Sequence, residues 1–151
     1  MIEVGDTIWQ LANVIHAGAT WFLVGLIWTI QVVHYPSFDA IDPATYNEFQ
    51  QRHMTKMGSL VGPPWLVEGV LVLVIFVTAP TAFTIALAVV GGLLEAVVIG
   101  VTLRASIPAH EALTSGFEPD AHRVLLRTNW LRTWAWSGRG LIALVLLWTA
   151  F

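Results

Sequence analysis

No cysteine occurs among the 151 residues. That excludes disulfides, thiolate metal sites, cysteine-ligated iron–sulfur clusters and thioether-attached haem. Charge is scarce too: 11% of residues are Asp, Glu, Lys or Arg, against 56% hydrophobic, and the mean hydropathy is +0.71. So few charges could not cover the surface of a soluble domain this long, so the sequence predicts an integral membrane protein of one domain, residues 1–151. No basic patch of the kind that binds nucleic acid is present, and no convincing internal repeat. The opening MIEVGDTIWQ carries acidic rather than basic residues before its apolar run, unlike a cleavable signal peptide.

What is there is organised around TNWLRTWAWSGRGLIALVLLWTAF, residues 128–151. Trp130, Trp134 and Trp136 suit the boundary between hydrocarbon and headgroups, where an apolar ring with a polar N–H is at home. Arg132 sits at that boundary, and Arg139 lies about 10 Å deeper on the same face. An arginine at that depth needs a partner inside a bundle.

Three further apolar segments precede it: from about Thr7 to Val33, Leu60 to Thr78 and Ala82 to Arg104. Gly62-Pro63-Pro64-Trp65 is read as opening the second, with proline in a first helical turn, and Ala79-Pro80-Thr81 as a tight turn into the third. The expected fold is all-α, a four-transmembrane-helix up-down-up-down bundle. Asp42-Pro43 reads as an N-cap and first helical residue. Tyr46, Phe49, His53, Met57 and Leu60 then recur at helical spacing, which predicts an amphipathic cytoplasmic helix in the first connection. In the last connection Pro108 is expected to kink an extension of the third helix and Gly116 to cap it, with Glu118-Pro119-Asp120 restarting the chain. Gly91-Gly92 would permit close helix approach.

Arg52 and Lys56 lie in the first connection, while Arg104, Arg123, Arg127 and Arg132 flank or lie within the third. The N-terminus, the Pro80 turn and the C-terminus hold none. By the positive-inside rule both long connections are cytoplasmic and both termini outside.

Polar residues inside the apolar segments point to a site. Counting at 1.5 Å per residue, Glu68, Glu95 and Arg139 fall near one level, between about 10 and 15 Å from the cytoplasmic end. Thr84, Gly91, Glu95, Thr102 and Ser106 form one narrow polar or small stripe on the third helix. Two carboxylates and one guanidinium leave one negative charge over, so one Glu is protonated or a cation or ligand supplies the balance. The bland alternative is a structural ion pair plus a protonated second Glu. In the site reading Glu68, Glu95 and Arg139 are catalytic, a Glu serving as proton acceptor and Arg139 as anchor.

His16 and His34 share a face of the first helix, too far apart for one metal, flanked by Asn13 and Gln31. His16 is a cofactor-ligand candidate or a buried hydrogen-bonded histidine. At the cytoplasmic mouth His34, His53 and His110 come from three segments and could ligate Fe, Cu or Zn. Tyr35, Asn129 and Arg132 stand near them, Asn129 and Arg132 as cofactor-binding candidates. His122 reads as a plain hydrogen-bonding residue, and the remaining tryptophans as belt and packing residues, Trp21 and Trp28 alternatively walling a pocket.

HYPSF after the first segment, VGPPWLVE opening the second, IPAHEALTSGF after the third and TNWLRTWAWSGR opening the fourth resemble a family of small bacterial four-span integral membrane proteins. That likeness covers most of the chain but brings no established activity. It singles out His34, Pro36, Glu68, Pro108, His110, Asn129, Trp130, Arg132, Thr133, Trp136 and Arg139. A looser likeness is to anthrone-oxygenase-like proteins and to the four-helix bacterial protoporphyrinogen oxidase, the latter through His16, Trp21 and Gly25. It implies redox chemistry on a lipophilic molecule, with a metal ion or haem. Three functions are expected from these readings: a metal- or haem-dependent oxidoreductase or oxygenase, a non-catalytic subunit of a larger membrane complex, or a small-ligand binding or transport protein acting as a homo-oligomer.

Overall fold

The computed structural model describes residues 4–151, and they are helical throughout apart from short turns, with no strand among them. Helix α1, Val4–Thr29, runs on through a π turn at Ile30–His34 and a 3-10 turn at Tyr35–Ala40. Helix α2 spans Tyr46–Thr78. Helix α3, Ala82–Val101, continues through a second π turn at Thr102–Ser106 into the short α4, Ile107–Ala112, and a 3-10 turn at Leu113–Ser115. Helix α5 is Pro119–Trp148. Three of these rods, Gly5–Ala40, Tyr46–Thr78 and Ala82–Ser115, are long and apolar enough to cross a membrane. The apolar character of α5 is diluted by Arg127, Arg132 and Arg139.

Several local expectations are revised. Asp42 does not cap a helix: its Oδ1 accepts from Ala44 N–H at 2.8 Å and its carbonyl from Thr45 N–H at 3.0 Å, closing a turn before α2 begins at Tyr46. Pro63 and Pro64 open nothing either; they lie inside one continuous α2. Farther on, Thr81 and Thr84 cap α3 reciprocally. Gly116, at φ +139°, ends the third rod, and Glu118 caps α5 by accepting from Asp120 N–H and Ala121 N–H. Close helix approach belongs to Gly138 and Gly140 rather than Gly91-Gly92. A Cβ on Gly140 would lie 3.2 Å from Val24 and one on Gly138 3.1 Å from Leu94, whereas at Gly91 the nearest atom is 3.8 Å away.

Helix α1 packs on α2 and α5, and α5 packs on α3; α2 and α3 touch each other far less, which leaves a crevice between them. Two apolar clusters fill the bundle. One gathers Leu23, Ile27, Phe38, Tyr46, Leu113 and Leu125 at the end of the long connections. The other gathers Trp9, Ile75, Ala88, Leu146 and Ala150 at the opposite end. The buried Glu68, Arg139 and His16 form a polar level between the two. Outward, Leu66, Leu73, Val77, Leu93 and Leu141 are largely exposed, an apolar surface that suits hydrocarbon rather than water.

Candidate functional site

The three ionisable groups expected at one level do meet. Arg139 from α5 donates through Nε to Glu68 Oε1 of α2 at 3.0 Å, and its Nη2 lies 2.9 Å from the same oxygen. Its Nη1 donates to the Gly91 carbonyl of α3 at 2.5 Å and stands 3.3 Å from Glu95 Oε2. Glu68, fully buried, also accepts from Thr20 Oγ1 at 2.8 Å and Trp136 Nε1 at 3.1 Å. Glu95 accepts from Trp65 Nε1 at 2.5 Å. One guanidinium thus ties α2, α3 and α5 together, with α1 joined through Thr20. Arg139 Nη2 and Glu95 Oε2 make ion-pair contacts only, so the cluster joins the four helices while two of its buried polar atoms lack a hydrogen bond. His16 is buried at the same level, both ring nitrogens without a hydrogen-bond partner, on the wall of a cavity of about 10 Å³ that Arg139 and Gly91 also line. That space takes one water, not a planar cofactor.

A second cluster lies at the end of the long connections, around a cavity of about 250 Å³ lined by Tyr35, His53, Met57, Trp65, His110 and Arg132 among others. The two π turns shape it. In each, the residue immediately before a proline makes the wide bond: Tyr35 N–H to the Ile30 carbonyl before Pro36, and Ile107 N–H to the Thr102 carbonyl before Pro108. A proline ring has no N–H and crowds the carbonyl four residues back, so the turn widens instead of closing. Ile30, Thr102 and Ser106, all from these turns, line the cavity.

Arg132 is 7% exposed, and no carboxylate pairs with it among the described residues. Its Nη1 donates to Ser106 Oγ at 3.3 Å and Asn129 Oδ1 at 3.2 Å, its carbon centre stands 5.4 Å over the Trp136 ring, and its Nε has no partner. Asn129 is held by donating to Gln31 Oε1 at 2.9 Å, which turns its own oxygen to Arg132. A buried guanidinium given only neutral acceptors is short of the negative charge that usually accompanies it.

The histidines converge as expected. His34 Nε2 and His53 Nδ1 are 2.8 Å apart, and the His53 and His110 rings are 4.9 Å apart between centroids. Yet among the described residues no three His, Cys, Asp or Glu side chains are arranged to hold a metal ion. His34 Nε2 and His53 Nδ1 face each other, and both His110 nitrogens are taken by Tyr35 and Gln50, so the three rings do not present free nitrogens to one point. The proton positions around His110 can be assigned from chemistry. Gln50 Nε2 contacts both the His110 carbonyl at 3.1 Å and His110 Nδ1 at 3.0 Å. A carbonyl only accepts, which fixes the amide, so His110 Nδ1 accepts as well. His110 Nε2 therefore carries the proton and donates to Tyr35 Oη at 2.9 Å, leaving the Tyr35 O–H free to donate. His122 donates through Nε2 to the Tyr35 carbonyl at 2.8 Å, a plain hydrogen-bonding role. Trp28 packs edge-on against Trp130 and Trp134 and donates to Ser137, while Trp21 is exposed; neither lines this cavity.

Sequence reasoning does not single out Gln50 or Ser106 as site residues. The available signal for Gln50 is its spacing, three residues before His53 and seven before Met57 on one helix face. Comparison with models of protein families, with curated proteins and with solved structures finds no match to this chain.

Proposed function

We propose that the chain is a four-span, up-down-up-down membrane bundle that binds a lipid-soluble molecule carrying an anionic oxygen head in the pocket around Arg132. The amphipathic start of α2 and both long connections lie on the cytoplasmic side of a bacterial inner membrane, with both termini outside. Supporting the fourth span, α5 turns Arg132 and Arg139 inward and shows lipid Leu141, Leu144 and Trp148. Supporting the orientation, Arg52, Lys56, Arg123 and Arg127 sit at the pocket's end of the bundle.

One observation carries the ligand reading: Arg132, buried without a carboxylate, on the wall of a cavity that two π turns hold open. The Tyr35 hydroxyl adds a neutral donor beside it, and Met54, Met57 and Val61 supply apolar walls. Binding of a radiolabelled fatty acid to the purified protein tests the reading. Saturable binding abolished by Arg132→Gln is expected; equal binding by both proteins would refute it.

Proton-transfer catalysis on the same molecule is a second reading, favoured by the His34–His53 contact. His34 is part-exposed, His53 lines the cavity, and His53 Nε2 has no partner among the described residues. A proton could pass from the surface to the bound head along that pair. A redox version through a metal or haem gains no support from the donor set or from the space beside His16.

A further inference from the structure

The pocket around Arg132 is not closed where it meets the α2–α3 crevice. A second hollow, of about 450 Å³, runs along that crevice and is lined by Gly62, Trp65, Leu66, Gly69, Leu73 and Ile99 among others. Gly62 and Trp65 line both spaces, so the second continues from the first. From Gly62 to Leu73 it extends about 17 Å along α2 at 1.5 Å per residue. Its floor is made by glycines: a Cβ on Gly62 or Gly69 would meet nothing within 4 Å. Glu95 borders the groove, yet its carboxylate is engaged by Trp65 Nε1 and Arg139, so it presents no free charge there.

The geometry points to a single linear acyl chain in this groove, belonging to a long-chain fatty acid or similar one-tailed amphiphile whose carboxylate is held by Arg132. The inference rests on the ligand reading above and adds the ligand's shape. The groove is long and narrow in its lining, about 17 Å along one helix, and it leads to a single unpaired guanidinium, which suits one head on one extended tail. The orientation is set by charge. Arg132 lies at the connection end, where headgroups are, and the groove leads from it toward the level of Glu68 and Glu95. Because lipid tails are as apolar as the groove, the chain gains little from burial itself. Arg132 supplies the attraction, and the groove selects shape.

A palmitate analogue with a diazirine at its terminal carbon, photolysed with the purified protein in lipid nanodiscs, tests this directly. Peptide mapping should place the adducts on residues 66–73 and at Ile99, with labelling reduced at least tenfold by excess unlabelled palmitate. Gly69→Phe, which fills the groove but not the head pocket, should abolish those adducts while octanoate binding persists. Adducts spread evenly over exposed lipid faces, including Leu141 to Trp148, and indifferent to palmitate would overturn the acyl groove even if octanoate still bound at Arg132. Conversely, a hexadecanol analogue labelling the groove as well as palmitate does, in the native protein and in Arg132→Gln alike, would remove the anionic head and leave only a chain site.

Discussion

The two buried arginines of α5 illustrate how context decides what a charged residue does. Arg139 is paired with Glu68 and Glu95 and donates to the Gly91 carbonyl; Arg132, seven residues earlier on the same helix, has no carboxylate and meets neutral groups such as Ser106 and Asn129 and the face of Trp136. Breaking a buried pair leaves an uncompensated charge and costs about 3–5 kcal/mol. Arg139→Gln should therefore lower the unfolding midpoint in detergent sharply, with Glu68→Gln similar, and the double variant should lose less than the sum. Arg132→Gln removes a charge without a partner carboxylate, so its thermal midpoint should stay level or rise while anion binding disappears. Equal destabilisation by the two arginine variants would mean that Arg132 too is structural. The same contrast governs the carboxylates. Glu68 accepts from three donor atoms on two helices and is wholly buried, whereas Glu95, with one such bond, borders open space.

Among the elements, the π turns at Ile30–His34 and Thr102–Ser106 set the pocket's size. Each depends on one proline, Pro36 or Pro108, removing an N–H that would otherwise close a regular turn. Pro36→Ala and Pro108→Ala should let the turns relax to α-helix and rotate the side chains beside them, His34 and Tyr35 in one rod and His110 in the other. The expected outcome is slower backbone hydrogen exchange at these turns together with lost ligand binding. Unchanged exchange and binding would show that packing, not proline, holds the wide turns. Helix α2 teaches the opposite lesson. Pro63 and Pro64 sit in its interior without ending it; the residues four before them, Ser59 and Leu60, whose carbonyls lose a partner, are exposed rather than packed against a neighbour.

For the molecule as a whole, the sparse contact between α2 and α3 leaves open both the pocket and the groove on which the proposed binding depends. Topology can be tested cleanly because the chain has no cysteine of its own. Single cysteines at Asp39 and Glu111 should react with an impermeant maleimide only in inside-out vesicles, and one at Thr81 only in intact cells; labelling of all three from one side would overturn the up-down arrangement. The apolar segments, the turn at Pro80, the restart of the chain at Glu118-Pro119-Asp120 and the common level of Glu68, Glu95 and Arg139 were legible in the sequence. They depend on rise per residue and local chemistry, which any helix obeys. The convergence of His34, His53 and His110 was legible as well, but not which way their nitrogens turn, since that depends on Gln50 and Tyr35 arriving from other segments. Likewise Asp42 looked like a cap and Pro63 like a helix start, because local preference is weak against continued packing of a long rod. Sequence by itself determined that charges lie within apolar helices and at what depth, because helical rise is fixed. Only the tertiary structure decided that Arg139 is matched and Arg132 is not, because pairing depends on which neighbouring helix carries a carboxylate within about 4 Å.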